Sequence, residues 1–194
     1  MSLLHSLLPQ YQFAERHQRR VAATPAAVMQ ALAQLPQWQD PWVSRFIALR
    51  ELPGRLAARL GYANALPHKP PFGLHEFTLL AQGEHELVWG LAGEFWRSDY
   101  GLQPIADAAS FATLPCPRLV LGFTVSAQLD GQTLLCTETR VACPTQASYR
   151  RFWPYWYLIR PVSGLIRQRI LRAVAQLALA QQASHLGRDS QAGG

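Results

Sequence analysis

Apolar residues in the last third of this chain recur at helical spacing. With Phe152 at zero on a wheel of about 100° per residue, Tyr155, Trp156, Ile159, Ile166, Ile170, Ala173, Val174 and Leu177 fall within about 60° of it, one continuous stripe. Trp153, Tyr157, Leu158, Leu165 and Leu171 leave that stripe. All the charge of the segment is arginine, and no acidic residue occurs between Glu138 and Asp189. A rod from Thr145 to Gln182 would reach about 57 Å at 1.5 Å per residue, against about 42 Å for a compact globule of this size. Pro161, with Ser163 available as a new cap, therefore predicts a break or strong kink between Arg160 and Ser163.

Ahead of the helix the period shortens to two. Phe13 to Ala23 reads as an edge strand, and Thr24-Pro25 and Asp40-Pro41 each open a short helix with proline at its first position. Pro53 to Leu60 forms a third, and Tyr62 to Gly73, with Pro67, Pro70 and Pro71, is a loop long enough to be a lid. Strands follow at His75 to Ala81 and Glu86 to Ala92, with Gly93 to Arg97 continuing or beginning another. Ala106 to Pro117 is rich in turn residues. Arg118 to Leu129 and Gln132 to Ala142 are long strands joined by Asp130-Gly131, the strongest hairpin signal in the chain. This order is α+β, with the terminal helix laid across one face of an antiparallel sheet. Alternation turns Leu87, Trp89 and Leu91, Leu121, Phe123 and Val125, and Leu135, Thr137, Thr139 and Val141 inward. Residues 11–182 form one domain, 1–10 an extension before it and 183–194 a frayed tail.

Composition narrows the partners. Apolar residues make up 49% and charged residues 15% of the 194, well below the usual charge of about 25%, so exposed apolar area is expected. Net charge is +6, which favours anionic partners, and the face of Arg150, Arg151, Arg169 and Arg172 is expected to meet an anionic surface such as a membrane. Nucleic acid is disfavoured, because the stripe commits the aromatic residues to packing. Cys116, Cys136 and Cys143 have no metal spacing and fit a reducing cytoplasm. The start lacks the basic region of a signal peptide, and no run of 18 apolar residues suggests a membrane span.

Candidate chemistry is sparse. No histidine pair has a metal-binding spacing, and nucleophile-elbow, phosphate-loop and dinucleotide fingerprints are missing. Neither a metal nor a cofactor is expected. Glu138 with Arg140 reads as a surface pair and Arg97 with Asp99 as a hairpin salt bridge, so no catalytic residue is assigned.

The element order resembles the helix-grip, START-like or SRPBCC superfamily, in which a curved antiparallel sheet wraps a long C-terminal helix. A closer resemblance, to uncharacterised bacterial proteins of that superfamily, is carried by Phe95, Trp96 and Arg97, by Glu138, Thr139, Arg140 and Val141, by Phe152, Tyr155 and Trp156, and by Ser163, Gly164, Leu165, Ile166 and Arg167. It spans Tyr11 to Gln182. The resemblance implies an apolar cavity between sheet and helix, and the superfamily includes lipid carriers, coenzyme Q binders, polyketide cyclases and aromatases. The expected cavity, of about 300 to 1,000 Å³, is lined by Trp89, Leu91, Leu121, Phe123, Val125, Thr137, Thr139 and Val141 on the sheet. Tyr155, Trp156, Ile159, Ile166 and Ile170 line it from the helix, and its entrance lies by the Tyr62 to Gly73 loop. The leading expectation is a carrier or sensor of a hydrophobic small molecule or lipid, cytoplasmic or peripheral at the inner membrane surface. The alternatives are a cyclase- or aromatase-like enzyme and a membrane-surface or partner-binding module that uses the arginine-rich helix.

Overall fold

The computed structural model describes residues 2–37, 40–48, 72–97 and 99–192. Its centre is an antiparallel sheet of β1 (Phe13–Val21), β2 (Thr78–Gln82), β3 (Glu86–Ala92), β4 (Arg118–Ala127) and β5 (Thr133–Ala142), in the order β1-β5-β4-β3-β2. β1 is thus an edge strand, paired along its whole length with the last strand. Asp130 and Gly131 turn the β4–β5 hairpin, where Gly131 takes φ 76°, the left-handed region glycine enters without cost. The long helix α5 (Gln146–Ala192) lies across the inner face. This is the helix-grip arrangement, and the alternation-based inward set is buried as expected.

Two short helices follow β1. Thr24 Oγ1 accepts the Ala27 amide at 3.3 Å to start α2 (Pro25–Ala33), and Asp40 Oδ1 accepts the Trp42 and Val43 amides at 2.8 and 3.1 Å to start α3, residues 41–48. Val28 and Leu32 of α2 join Val21, Val125, Leu135, Ile170 and Val174 in the larger inner cluster. The helix expected at Pro53 to Leu60 lies outside the described residues, as does the Tyr62 to Gly73 loop except for Phe72 and Gly73.

The outer face is covered too. α1 (Leu3–Leu7) and α4 (Ala108–Thr113) lay Leu4, Leu8 and Phe111 on Val88, Val120 and Ala142. The first residues are therefore packed into the body of the domain. Gly122 of β4 makes room for them, since a Cβ there would stand 2.5 Å from Leu4 Cδ1. Glu86 caps α1 from β3, its carboxylate accepting the Leu3 and Leu4 amides at 2.8 and 2.9 Å. The turn-rich stretch hides α4, opened by a reciprocal Asp107–Ser110 capping box. Residues 93–97 form a turn instead of a strand: the Gly93 amide still bonds the Pro117 carbonyl in register with β4, but Pro117 has no amide to continue the ladder and Gly93, at φ 155°, turns the chain away.

The break expected between Arg160 and Ser163 is absent. α5 runs through Pro154 and Pro161 for 47 residues, about 70 Å at the helical rise, and past Gln182 to Ala192. Seven residues apart, the prolines fall on one face, and both are exposed. The carbonyls they leave unpaired, of Arg150 and Tyr157, fall on that same wet face, where water can satisfy them. The opposite face stays on the sheet, so the helix continues.

Glu86→Ala should lower the stability of the domain by about 1 kcal/mol, the usual worth of an N-terminal cap, measured by urea unfolding. Unchanged stability would show that α1 is held by Leu4 and Leu8 alone.

Candidate functional site

β1 alternates Phe13, Glu15, His17, Arg19 and Val21 on one face, and of the three ionisable residues between the two buried apolar ones Glu15 and His17 are half-buried while Arg19 is exposed. Cross-strand register sets Glu15 opposite Thr139 and His17 opposite Thr137. Both threonines are buried. α5 passes over this patch at Gly164, where a Cβ would stand 3.0 Å from Glu15 Oε1 and 3.5 Å from His17 Cε1. A larger residue there would have to displace the Glu15 side chain or shift the helix by a few tenths of an ångström or more. One turn further on, Arg167 donates to Thr137 Oγ1 at 3.4 Å.

These side chains form a polar island in an apolar interface. On one side lie Phe13, Leu91, Val141, Phe152 and Trp156, and on the other Trp89, Leu121, Phe123, Leu135 and Ile170. His17 Nε2 stands 2.9 Å from Glu15 Oε1. An ionised carboxylate only accepts, so with Glu15 charged the imidazole proton sits on Nε2 and Nδ1 is free to accept. The Glu15 side chain is 8% exposed, and its Oε2 is buried with no hydrogen-bond partner. Burial pushes the Arg167 pKa down to about 10, with the charge of Glu15 opposing that shift, so the guanidinium is still protonated at neutral pH. The island therefore offers a carboxylate, an imidazole, a guanidinium and hydroxyls within one layer.

A groove of about 430 Å³ runs beside it, lined by Glu15, Tyr157, Arg160, Pro161, Gly164, Leu165 and Gln168. A second hollow of about 510 Å³ lies at the start of α5 among Trp96, Arg97, Asp99, Cys116, Thr145, Ser148 and Arg151. Its charges are largely spent internally, Arg97 pairing with Asp99 at 3.0 Å and Glu94 at 3.1 Å. The Glu138–Arg140 pair closes on itself through Arg140 Nε at 2.6 Å, with the guanidinium over the Tyr11 ring and its Nη1 buried without a hydrogen-bond partner. Burial raises the Cys143 thiol to about 11, against a weaker opposing bond from Ser148, which leaves it unreactive at neutral pH. Among the described residues no group of three or more His, Cys, Asp or Glu could hold a metal ion, and no helix is long and apolar enough to cross a membrane.

The structure divides the expected cavity lining. Trp89, Leu121, Phe123, Val125 and Ile170 are buried in the larger inner cluster, and Leu91, Val141 and Trp156 in the smaller. Trp89 meets Phe123 edge-on at 5.7 Å. Thr137 and Thr139 lie between the clusters. Tyr155, Ile159 and Ile166 are half-buried on the flank of α5 away from Gly164, with Tyr155 packed on the smaller cluster, 5.7 Å from Phe152 between ring centres, and Ile166 on the larger. The arginine set is also divided. Arg150, Arg151 and Arg172 are exposed, but Arg169 pairs with Asp40 at 2.7 Å and lies 5.3 Å from the Trp42 ring centre, latching α3 to α5. Glu15, His17 and Arg167 have no place in the sequence-based site. The signal for the first two was the β1 alternation itself, which puts Glu15 and His17 on the face of Phe13 and Val21.

No family model matches the chain, and no curated protein matches it. Solved structures do resemble it. Ara h 8.0201 superimposes with a TM-score of 0.43 at 11% identity, over 87% of this chain and 98% of its own. The Mll3558 protein from Rhizobium loti gives 0.37 at 10%, over 85% and 96%, and TTHA0849 from Thermus thermophilus gives 0.32 at 9%, over 87% and 99%. The likeness is one of overall architecture, the helix-grip arrangement that the strand order and α5 already define. It says nothing of ligand or chemistry.

Gly164→Val should cost about 2 kcal/mol, as overpacking does, and much of that loss should return in the Glu15→Ala background. A double-mutant cycle in urea reads the coupling, and additive losses would place the strain elsewhere. The Asp40–Arg169 latch should depend on pH. Burial works to raise the Asp40 pKa, but bonds from Arg169 and from the Val43 and Trp42 amides outweigh it and hold the carboxyl below its usual range. The latch is then fully present above the ordinary carboxylate pKa of about 3.9 and is lost as pH falls through the lower folded value. Asp40→Asn should flatten the acid limb of a stability–pH profile, and an unchanged limb would count against the latch.

Proposed function

We propose that this protein binds a largely apolar small molecule or lipid between the inner face of the sheet and α5, as a carrier or sensor. The single observation that supports it is the polar island. Burying Glu15 and Arg167 in an apolar interface costs more than packing returns, and a carboxylate oxygen left without a partner is the kind of exception that calls for a ligand or a water. The apolar body of the molecule would lie along Trp89, Leu121, Ile159 and Ile166. Its polar end would meet Thr137, Thr139 and Arg167.

The Glu15–His17 bond favours a second reading, an acid–base enzyme of cyclase or aromatase type. His17 Nδ1 would take a proton from a ring-forming substrate and Glu15 would hold the imidazole in the right tautomer.

Native mass spectrometry and solvent extraction of the purified protein should return a hydrophobic compound. An uncharged environment-sensitive dye should bind at one saturable site, and Ile166→Trp, which fills half-buried space, should weaken that binding at least tenfold without lowering the melting temperature. Binding that never saturates, or that ignores the substitution, would remove the carrier reading. A wild-type extract lighter by one water than that of His17→Phe would favour the enzyme.

A further inference from the structure

The outer face of α5 carries large apolar side chains that no described residue covers. Trp153 is 50% exposed, Tyr157 56%, Leu158 78% and Leu165 47%. At about 100° per residue, they fall with Pro154 and Pro161 within an arc of about 140°. The rings of Trp153 and Tyr157 lean on each other, 5.3 Å between centres, so they form one surface. Arginine surrounds it. Arg160 and Arg151 stand at the two margins of the arc, while Arg150 and Arg172 close it at either end along the axis, and all four are exposed. The helix has no acidic residue from Gln146 through Gln182 to oppose them.

From this arrangement we infer that the outer face of α5 docks on an anionic lipid membrane, lying in its interface. Trp and Tyr side chains prefer the headgroup level, where an apolar body meets a polar boundary. A helix with an aromatic and aliphatic face rimmed by arginine has the composition of an interfacial helix. Charge complementarity selects the occupant: a rim with no anion on it fits an acidic surface and would repel a second copy of itself. Arg169, spent on Asp40, takes no part, and Arg160 replaces it. The prolines fit the same role, because headgroup water can satisfy the carbonyls they leave free. Tyr157, Arg160, Pro161 and Leu165 also line the groove beside Glu15, so docking brings the groove's mouth to the lipid. The docking itself does not depend on what the groove binds.

The test is co-sedimentation of the full chain with phosphatidylcholine vesicles, with and without a phosphatidylglycerol fraction. Binding should need the anionic lipid and fall steeply with added salt. Arg150→Gln with Arg172→Gln should weaken it about thirtyfold, or about 1 kcal/mol for each arginine. Trp153→Ser with Leu158→Ser should weaken it at least as much, with the melting temperature unchanged because both side chains are exposed. Leu129→Ser, at an exposed hairpin tip, should leave it as it is. Equal retention by neutral vesicles, indifference to either double variant, or a dimer by light scattering that Leu158→Ser dissociates would each overturn the assignment.

Discussion

Helix α5 and the sheet each supply what the other lacks. Two interior prolines at about 3 kcal/mol apiece make residues 146–192 a poor helix in isolation. Burial of Phe152, Trp156, Ile170, Leu171 and Val174 on the inner face, at about 2 kcal/mol for each large side chain, more than offsets that cost. Conversely, the inner face of β3, β4 and β5, apolar but for Thr137 and Thr139, is closed by α5 together with Val28 and Leu32 of α2. The consequences run outward from this contact. The stripe must face the sheet, so the prolines face away from it, with Trp153, Tyr157, Leu158 and Leu165. The helix also passes close to the edge strand, and Gly164 leaves room there for the Glu15 and His17 side chains.

A structure selected for packing alone would have no reason to place a carboxylate, an imidazole and a guanidinium at that crossing. Apolar residues of similar volume would serve stability as well or better. Local rules fail there together: polar residues on a buried face, a glycine inside a helix, an oxygen without a partner. In sequences otherwise consistent with their fold, such conflicts collect at functional positions.

Most of the architecture was legible because it rests on short-range chemistry. Thr24-Pro25, Asp40-Pro41 and Asp130-Gly131 each fix their turn or cap with one or two residues, and period-two alternation fixed the inward faces of three strands. What escaped depended on distant partners. Pro161 ends a helix by local rules, but a sheet on the far side holds it together. Glu86, far along the chain, anchors a first helix in the stretch that reads in sequence only as an N-terminal extension. Arg169 reads as free as its neighbours until the fold brings Asp40 beside it. Glu15 and His17 are different, since their inward position can be read from β1. Sequence reasoning passes over them because an edge strand is the usual place for charge.

The β1–β5 pairing also fixes when the protein can come into being. Phe13 pairs with Val141, and Glu15 with Thr139, so the edge strand leaves the ribosome more than a hundred residues before the neighbour it pairs with. Contacts of such long range close slowly, and β2, β3 and β4 can pair as local hairpins meanwhile. The groove beside Glu15 is then a late product of synthesis, built from β1 and from a helix that follows it by more than a hundred residues. A nascent protein offers nothing there for a ligand to enter until its last strand and helix have arrived.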